Sequence, residues 1–331
     1  MTASVGVFGA AGYTGALTAR LLHQHPYFDL RTVTARSDVG RRLDHLYPHH
    51  RVPLTLEELD LDRHADLDAA VIAYPHGAAA PLVAELRERG ARVVDLSADF
   101  RLREVALYEQ WYRPHPHPDL IAGAVYGLPE LYREQIAAAD LVANPGCYPT
   151  AAILALAPLA SARAISDVVI DAKSGVSGAG RAATEQTHFV TVDENVSAYG
   201  VPRHRHTPEI EQELAALGSP VTITFTPHLL PLDQGELVSC YVTTTEYESD
   251  LRELYSEFYA GEPFVELAER PPGVRDVRET NICRLSVHRD ERTGRVVVFG
   301  AIDNLWKGAA SEAVQNLNLM FGRPETEGLA A

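Results

Sequence analysis

Val5-Gly6-Val7-Phe8-Gly9-Ala10-Ala11-Gly12-Tyr13-Thr14-Gly15 is the stretch on which the reading of the whole chain turns. A strand-like run, Val5 to Phe8, passes through a glycine-rich turn into the helix-forming run Ala16 to His25. Glycines at such a junction let the backbone approach a pyrophosphate, and the helix start supplies N–H donors and positive potential. The spacing is G-x-x-G-x-x-G rather than G-x-G-x-x-G, so a tight turn without a ligand stands beside the dinucleotide-binding reading.

Outward from this turn, strand-like and helix-like segments alternate: Leu30 to Ala35, Ala69 to Ala73, Ala79 to Arg89 and Val93 to Leu96. That alternation predicts an α/β domain with a parallel sheet covered by crossover helices. An NAD site places an acidic residue at the end of the second strand, to hold the ribose 2′-hydroxyl. Here the chain has Thr34-Ala35-Arg36-Ser37, followed by Arg41 and Arg42, groups that suit a 2′-phosphate. NADP(H) is therefore the expected cofactor, with nearby Asp38 as the one opposing signal.

After Pro158 the texture changes. Val168 to Ala172, Val221 to Thr226, Leu237 to Thr244, Asn281 to His288 and Val296 to Ala301 are β-rich, with helical stretches at Thr207 to Leu217 and Ser249 to Ala260. This pattern predicts an α+β domain with a mainly antiparallel sheet. Ala309 to Met320 has an amphipathic helical period and is expected to return to the first domain. With 331 residues the chain is long enough for two cores. A net charge of −16 argues against nucleic acid as a partner, since phosphate backbones are bound through Lys and Arg. Three cysteines without a C-x-x-C pair suggest neither a disulfide framework nor a zinc site, and fit a reducing cytoplasm. With no basic leader before Val5 and no apolar run of membrane length, no membrane association is expected.

Cys147 lies in Asn144-Pro145-Gly146-Cys147-Tyr148-Pro149-Thr150, between the apolar run Asp140 to Ala143 and the helix-forming run Thr150 to Leu156. Pro149 suits the first helical position. A thiol at a helix N-terminus meets unpaired N–H groups and the positive end of the macrodipole, which favour thiolate. The competing reading is a small buried hydrophobe. Arg203-His204-Arg205-His206-Thr207-Pro208-Glu209 precedes a second helix, with Thr207 as a plausible cap. Either histidine titrates near neutrality and suits acid/base work, whereas a His-x-His pair without further ligands makes a poor zinc site. The solvated polar loop is the competing reading. His115-Pro116-His117-Pro118 reads as a surface loop. Ser174-Gly175-Val176-Ser177-Gly178-Ala179-Gly180 follows a strand, and its backbone N–H groups and hydroxyls suit an oxyanion or phosphate as well as they suit a flexible loop.

Taken together, these segments resemble the N-acetyl-γ-glutamyl-phosphate reductase family, relatives of aspartate-semialdehyde dehydrogenases. The resemblance also runs through Pro75-His76-Gly77, Ser97-Ala98-Asp99-Phe100-Arg101, Tyr126-Gly127-Leu128-Pro129-Glu130 and Asn304-Leu305-Trp306-Lys307-Gly308-Ala309. It implies a Rossmann domain over 1–147 completed by the C-terminal helix within 305–331. An α+β catalytic and oligomerisation domain over 148–304 would follow, in a homo-dimer or tetramer. By the same resemblance, Cys147 is the nucleophile toward an acyl phosphate, inorganic phosphate is released, NADPH is the hydride donor, and His204 or His206 is the acid/base, with His204 favoured beside the thiol. Asn144 is an expected oxyanion donor. Gly9, Ala11, Gly12, Tyr13, Thr14, Gly15, Arg36, Ser37, Pro75, Ser177, Gly178 and Asn304 fall to the cofactor, and Arg101, Ser174, Gly175 and Glu209 to the substrate. Two departures stand out. Asp233-Gln234-Gly235-Glu236-Leu237 replaces a usual Arg-Gly-Ile/Leu sequence, and Ser311 to Asn316 replaces a usual Gly-Gln-Ala. The expected reaction is reduction of N-acetyl-L-glutamyl 5-phosphate to the 5-semialdehyde in arginine biosynthesis. The alternatives are reduction of 2-aminoadipate 6-phosphate or glutamyl phosphate on a carrier protein, and a catalytically silent NADP-binding regulator.

Overall fold

In the computed structural model, which describes residues 2–64, 66–245 and 250–329, the chain divides into two units. One comprises Met1–Pro145 with Ala309–Ala330, the other Gly146–Gly308.

The first unit is built on a sheet of six strands: β1 (Ala3–Phe8), β2 (Phe28–Thr34), β3 (Ala69–Ile72), β4 (Arg92–Asp95), β5 (Val125–Tyr126) and β6 (Leu141–Ala143). Their spatial order is β2-β1-β3-β4-β6-β5, and every pairing is parallel. β3 is buried along its whole length, as the central strand of a sheet covered on both faces must be. The order reverses between β1 and β3, so the carboxyl ends of these two strands flank the crevice where doubly wound sheets take their ligands. Helix Ser311–Met320 packs against helices Tyr13–Gln24 and Pro129–Ala138 and against β4, which completes this layer.

The second unit carries β7 (Ile165–Gly175), β8 (Ser197–Ala198), β9 (Thr224–Leu230), β10 (Glu236–Thr244), β11 (Val265–Leu267), β12 (Cys283–Asp290) and β13 (Arg295–Ile302). The order is β11-β12-β13-β10-β7-β9-β8. Four pairings are antiparallel and two, β7–β9 and β11–β12, are parallel, so the sheet is mixed and mainly antiparallel, as expected. The β7–β9 crossover is long enough to hold helix Thr207–Ala216. Helix Cys147–Ser161 lies on β10 and β13, and every residue from Tyr148 to Ala160 is buried. It begins at Cys147, two residues before the expected start at Pro149, which is tolerated because the first N–H groups of any helix lack intrahelical acceptors. The predicted helix from Ser249 is Leu251–Phe258, N-capped by Asp250; Ser249 itself lies outside the described residues.

Candidate active site

Gly9 follows β1 in a left-handed conformation (φ 101°), and a Cβ there would lie 2.5 Å from the Ala73 carbonyl at the end of β3. Gly9 and Ala10 both donate to the Thr34 carbonyl, and Ala11 accepts from the buried Tyr47 hydroxyl at 2.8 Å. Gly12 is the N-cap of helix Tyr13–Gln24 and makes no side-chain cap; a Cβ on it would meet nothing closer than 3.8 Å. The bare helix start, with Tyr13, Thr14 and Gly15 in its first turn, therefore faces open space at Gly12, the geometry a pyrophosphate requires. Arg36 is exposed and stacks over Tyr74 at 5.0 Å, and Ser37 is exposed beside it. Asp38, the opposing signal for NADP, is ion-paired to Arg41 at 2.6 Å, and Arg42 is paired to Asp44. The donor set at the end of β2 thus suits a 2′-phosphate. Pro75 is exposed just beyond β3, at the same edge of the sheet.

In the second unit Cys147 is half-buried and is the first residue of its helix, whose N-cap Gly146 has no side-chain cap. Gly146 N–H donates instead to Oε1 of Glu209 at 2.9 Å. Glu209 is 1% exposed, so this carboxylate holds the turn that presents the sulfur. A Cβ on Gly308 would lie 2.8 Å from the Cβ of Cys147, so glycine is needed there to admit the thiol. Tyr148, fully enclosed, makes edge contacts with both His204 and His206 at 5.9 Å, and its hydroxyl accepts from Tyr199 at 3.1 Å. His206 N–H donates to Nδ1 of His204 at 3.2 Å. That leaves the proton of a neutral His204 ring on Nε2. Burial, assisted by the neighbouring Arg205 charge, lowers His204 to about 4, so it is neutral at physiological pH.

Several expected ligands turn out to be engaged within the protein. Asn144 is fully buried; its amide donates toward Glu312 at 3.3 Å and accepts from Asn316 at 2.9 Å, so it is not aimed as an oxyanion donor. Arg101, 4% exposed, holds the carbonyls of Asn144 and Leu96, both at 2.8 Å, which commits much of its guanidinium to loop backbone. Gly175, Val176 and Ser177 donate their N–H groups to the carbonyls of Gly235, Leu232 and Asp233, so this loop is pinned and three of its backbone donors are spent internally. The buried Ser174 hydroxyl turns to the Gly175 carbonyl. Asn304 joins the pinned loops by accepting from Gly235 N–H at 2.7 Å and donating to the Ser177 hydroxyl at 3.1 Å, while Gly178 stays exposed. His115, read as a surface residue, is buried and bonded to the Asp99 carbonyl at 2.8 Å.

Glu236 was not visible as a site residue. It is the first residue of β10, paired with Ser174 of β7 and Ile302 of β13, and it is fully buried, its carboxyl oxygens without a hydrogen-bond partner among the described residues and the Cys147 thiol acting on it. Burial pushes it up to about 8; the thiol hydrogen bond opposes that rise and the Asp303 charge adds to it. The only sequence signal was an acidic residue opening the β-rich run Leu237 to Thr244.

Residues 4–139 match the semialdehyde dehydrogenase NAD binding domain, and residues 147–304 the semialdehyde dehydrogenase dimerisation domain. The chain is similar to N-acetyl-gamma-glutamyl-phosphate reductase of Moorella thermoacetica, with 52% identity over 98% of this chain and 97% of the relative. The enzyme of the same name from Desulforudis audaxviator is 51% identical over the same shares. Aspartate semialdehyde dehydrogenase II of Vibrio cholerae shares the fold at a TM-score of 0.74 with 19% identity, covering 97% of this chain and 99% of that one. A thiol and paired histidines in one unit, a glycine-rich dinucleotide turn in the other, and full-length identity near one half all point the same way: the chain belongs to the N-acetyl-γ-glutamyl-phosphate reductase family.

Proposed function

We propose that this protein reduces N-acetyl-L-glutamyl 5-phosphate to N-acetyl-L-glutamate 5-semialdehyde in the cytoplasm, with release of inorganic phosphate. The observation that carries the reading is Cys147 as the first residue of an uncapped helix, next to the residue whose ring touches both His204 and His206. The Cys147 thiolate attacks the acyl carbon; the C–S bond forms as the bond to phosphate breaks, and the departing phosphate takes a proton from an imidazolium. We assign this acid/base role to His206, because Nδ1 of His204 is engaged and its ring stays neutral. Backbone N–H groups at the helix start stabilise the oxyanion, in place of Asn144. NADPH, when held at the glycine-rich turn, would supply the hydride that reduces the thioester. Collapse of the thiohemiacetal then breaks the C–S bond and restores the thiolate.

Gly9 to Gly15 with Arg36, Ser37 and Pro75 suit the NADP(H), in the unit formed by residues 1–145 and 309–330; residues 146–308, which include Cys147, carry the chemistry and the subunit contacts. Ser174 and Gly175 shape the substrate side, with Ser177, Gly178 and Asn304 beside them in the same unit. Glu209 acts chiefly by holding Gly146. A homo-oligomer assembled through the second unit is supported by the dimerisation-domain match and by exposed Phe189, Val190, Val196 and Val201.

The test is phosphate-requiring, NADP-dependent oxidation of N-acetylglutamate 5-semialdehyde by the wild type and by Cys147→Ser. Loss of at least about 100-fold in kcat is expected for the variant. Inactivity of the wild type on the acetylated substrate, with activity on a carrier-bound acyl phosphate, would replace the substrate. Equal rates for Cys147→Ser would remove the thioester.

A further inference from the structure

A fully buried carboxylate needs hydrogen-bond donors or a proton, because an uncompensated charge in a desolvated site is costly. Glu236 has neither Lys nor Arg as a partner, and neither of its carboxyl oxygens has a hydrogen-bond partner among the described residues, while the Cys147 thiol is one of the groups acting on it. The nearby phenols do not supply one. Tyr199 donates to the Tyr148 hydroxyl, and Tyr148 directs its own toward the His228 carbonyl at 3.5 Å. Backbone pairing of β10 with β7 and β13 fixes the start of the strand on both sides, so the carboxyl is held where it is.

We propose that Glu236 is the proton partner of the nucleophile, its neutral carboxyl donating an O–H to Sγ of Cys147 so that thiol and carboxyl share one proton. This rests on Cys147 being the reactive thiol. In the resting pair the proton moves between Sγ and a carboxyl oxygen. Before attack the S–H bond breaks and the O–H bond forms on Glu236. The freed sulfur electron pair makes the C–S bond. When the thiohemiacetal collapses, that pair returns to sulfur and the Glu236 O–H again donates to it, with no net proton taken from solvent by the pair. The charged and titratable groups facing Glu236 are Cys147, Tyr148, Tyr199 and Asp303. The negative charge of Asp303 and burial both favour the protonated carboxyl, and burial holds both phenols neutral by raising them well above their ordinary range. Two such coupled groups release protons in two steps that belong to the pair.

Alkylation of Cys147 by iodoacetamide, followed by peptide mass against pH without substrate or cofactor, tests this. The wild type should show two rises in rate, the second near pH 8 as the carboxyl loses the shared proton. Glu236→Leu should react about tenfold more slowly at pH 7, the order of one hydrogen bond to a charged atom. Glu236→Gln, whose amide N–H still donates, should keep the neutral rate within about threefold and lose the second rise. Faster alkylation in both variants would mean that Glu236 only repels the thiolate, and would overturn the proposal, as would a wild-type profile superimposable on that of Glu236→Gln. NADPH binding and thermal unfolding establish that each variant folds; should the leucine variant not fold, the glutamine variant decides by the second rise. Wild-type Cys147 no more reactive than buried Cys240 and Cys283 would bring down the nucleophile reading and this proposal together, whereas a reactive Cys147 indifferent to both variants would bring down this proposal alone.

Discussion

Gly9 and Gly12 stand three residues apart in one turn and answer to different constraints. At Gly9 both a left-handed φ and the Ala73 carbonyl exclude a side chain, so Gly9→Ala should lower stability by about 1 kcal/mol or more. At Gly12 nothing in the protein objects, so Gly12→Val should leave the unfolding midpoint within a degree or two while raising KM for NADPH about tenfold or more. Thermal melts and cofactor titrations of both variants check the contrast; a Gly12→Val enzyme with unaltered KM would remove the pyrophosphate from this turn. Residue types and local order made these glycines, Cys147 and the histidine pair legible in the sequence. Glu236 was not, because its meaning comes from strand pairing that brings β10 beneath the helix bearing the thiol, a relation no local window contains. The opposite error affected Arg101 and Asn144. They look like ligands as isolated side chains, but in the fold they serve carbonyls and amides of their own unit.

At the scale of elements, the segment after β4 works as a brace. Asp99 accepts from Ala79 and Ala80 N–H, both at 3.1 Å, and from the Tyr108 hydroxyl at 3.0 Å, which caps helix Ala80–Glu88 from a distant loop. Asp95, at the end of β4, is fully buried and bonded to Ser97, and burial followed by the Asp99 charge raises it to about 7. The unfolded chain ionises such a group near pH 4, so the native state binds this proton more tightly. Its stabilising contribution is complete below about pH 4 and is lost as pH rises through about 7. The unfolding midpoint should therefore fall between pH 5 and pH 8, and Asp95→Asn should flatten that slope. A variant with the same slope as the wild type would exclude Asp95 as its source. Strands and helices with a strong period were legible within a few residues of their observed bounds. The short strands β5, β8 and β11, each of two or three residues, were not, since so few residues carry no period and exist only by pairing with a longer neighbour.

For the whole molecule, the alternation of elements in the first half announced a parallel sheet, and the β-rich runs of the second half announced a mainly antiparallel one, but not which two of its pairings are parallel. Parallel β7–β9 and β11–β12 pairs leave no mark in composition that separates them from antiparallel ones. Phe189 and Val190 are 74% and 77% exposed, an apolar pair that a monomer in water has little reason to keep. Phe189→Asp should shift the protein toward a smaller species in sedimentation velocity while it still unfolds cooperatively; an unchanged sedimentation coefficient would place the subunit contact elsewhere. The hydrogen bond from Gly146 to Glu209 spans 63 residues of chain, and it has a practical consequence for protein engineering. The heptapeptide around Cys147 is not a portable cassette. Grafted onto another dinucleotide-binding scaffold, it would deliver a sulfur but leave behind the carboxylate that clamps its turn, so any transplant of this reactivity has to carry the histidine-bearing segment and its helix as well.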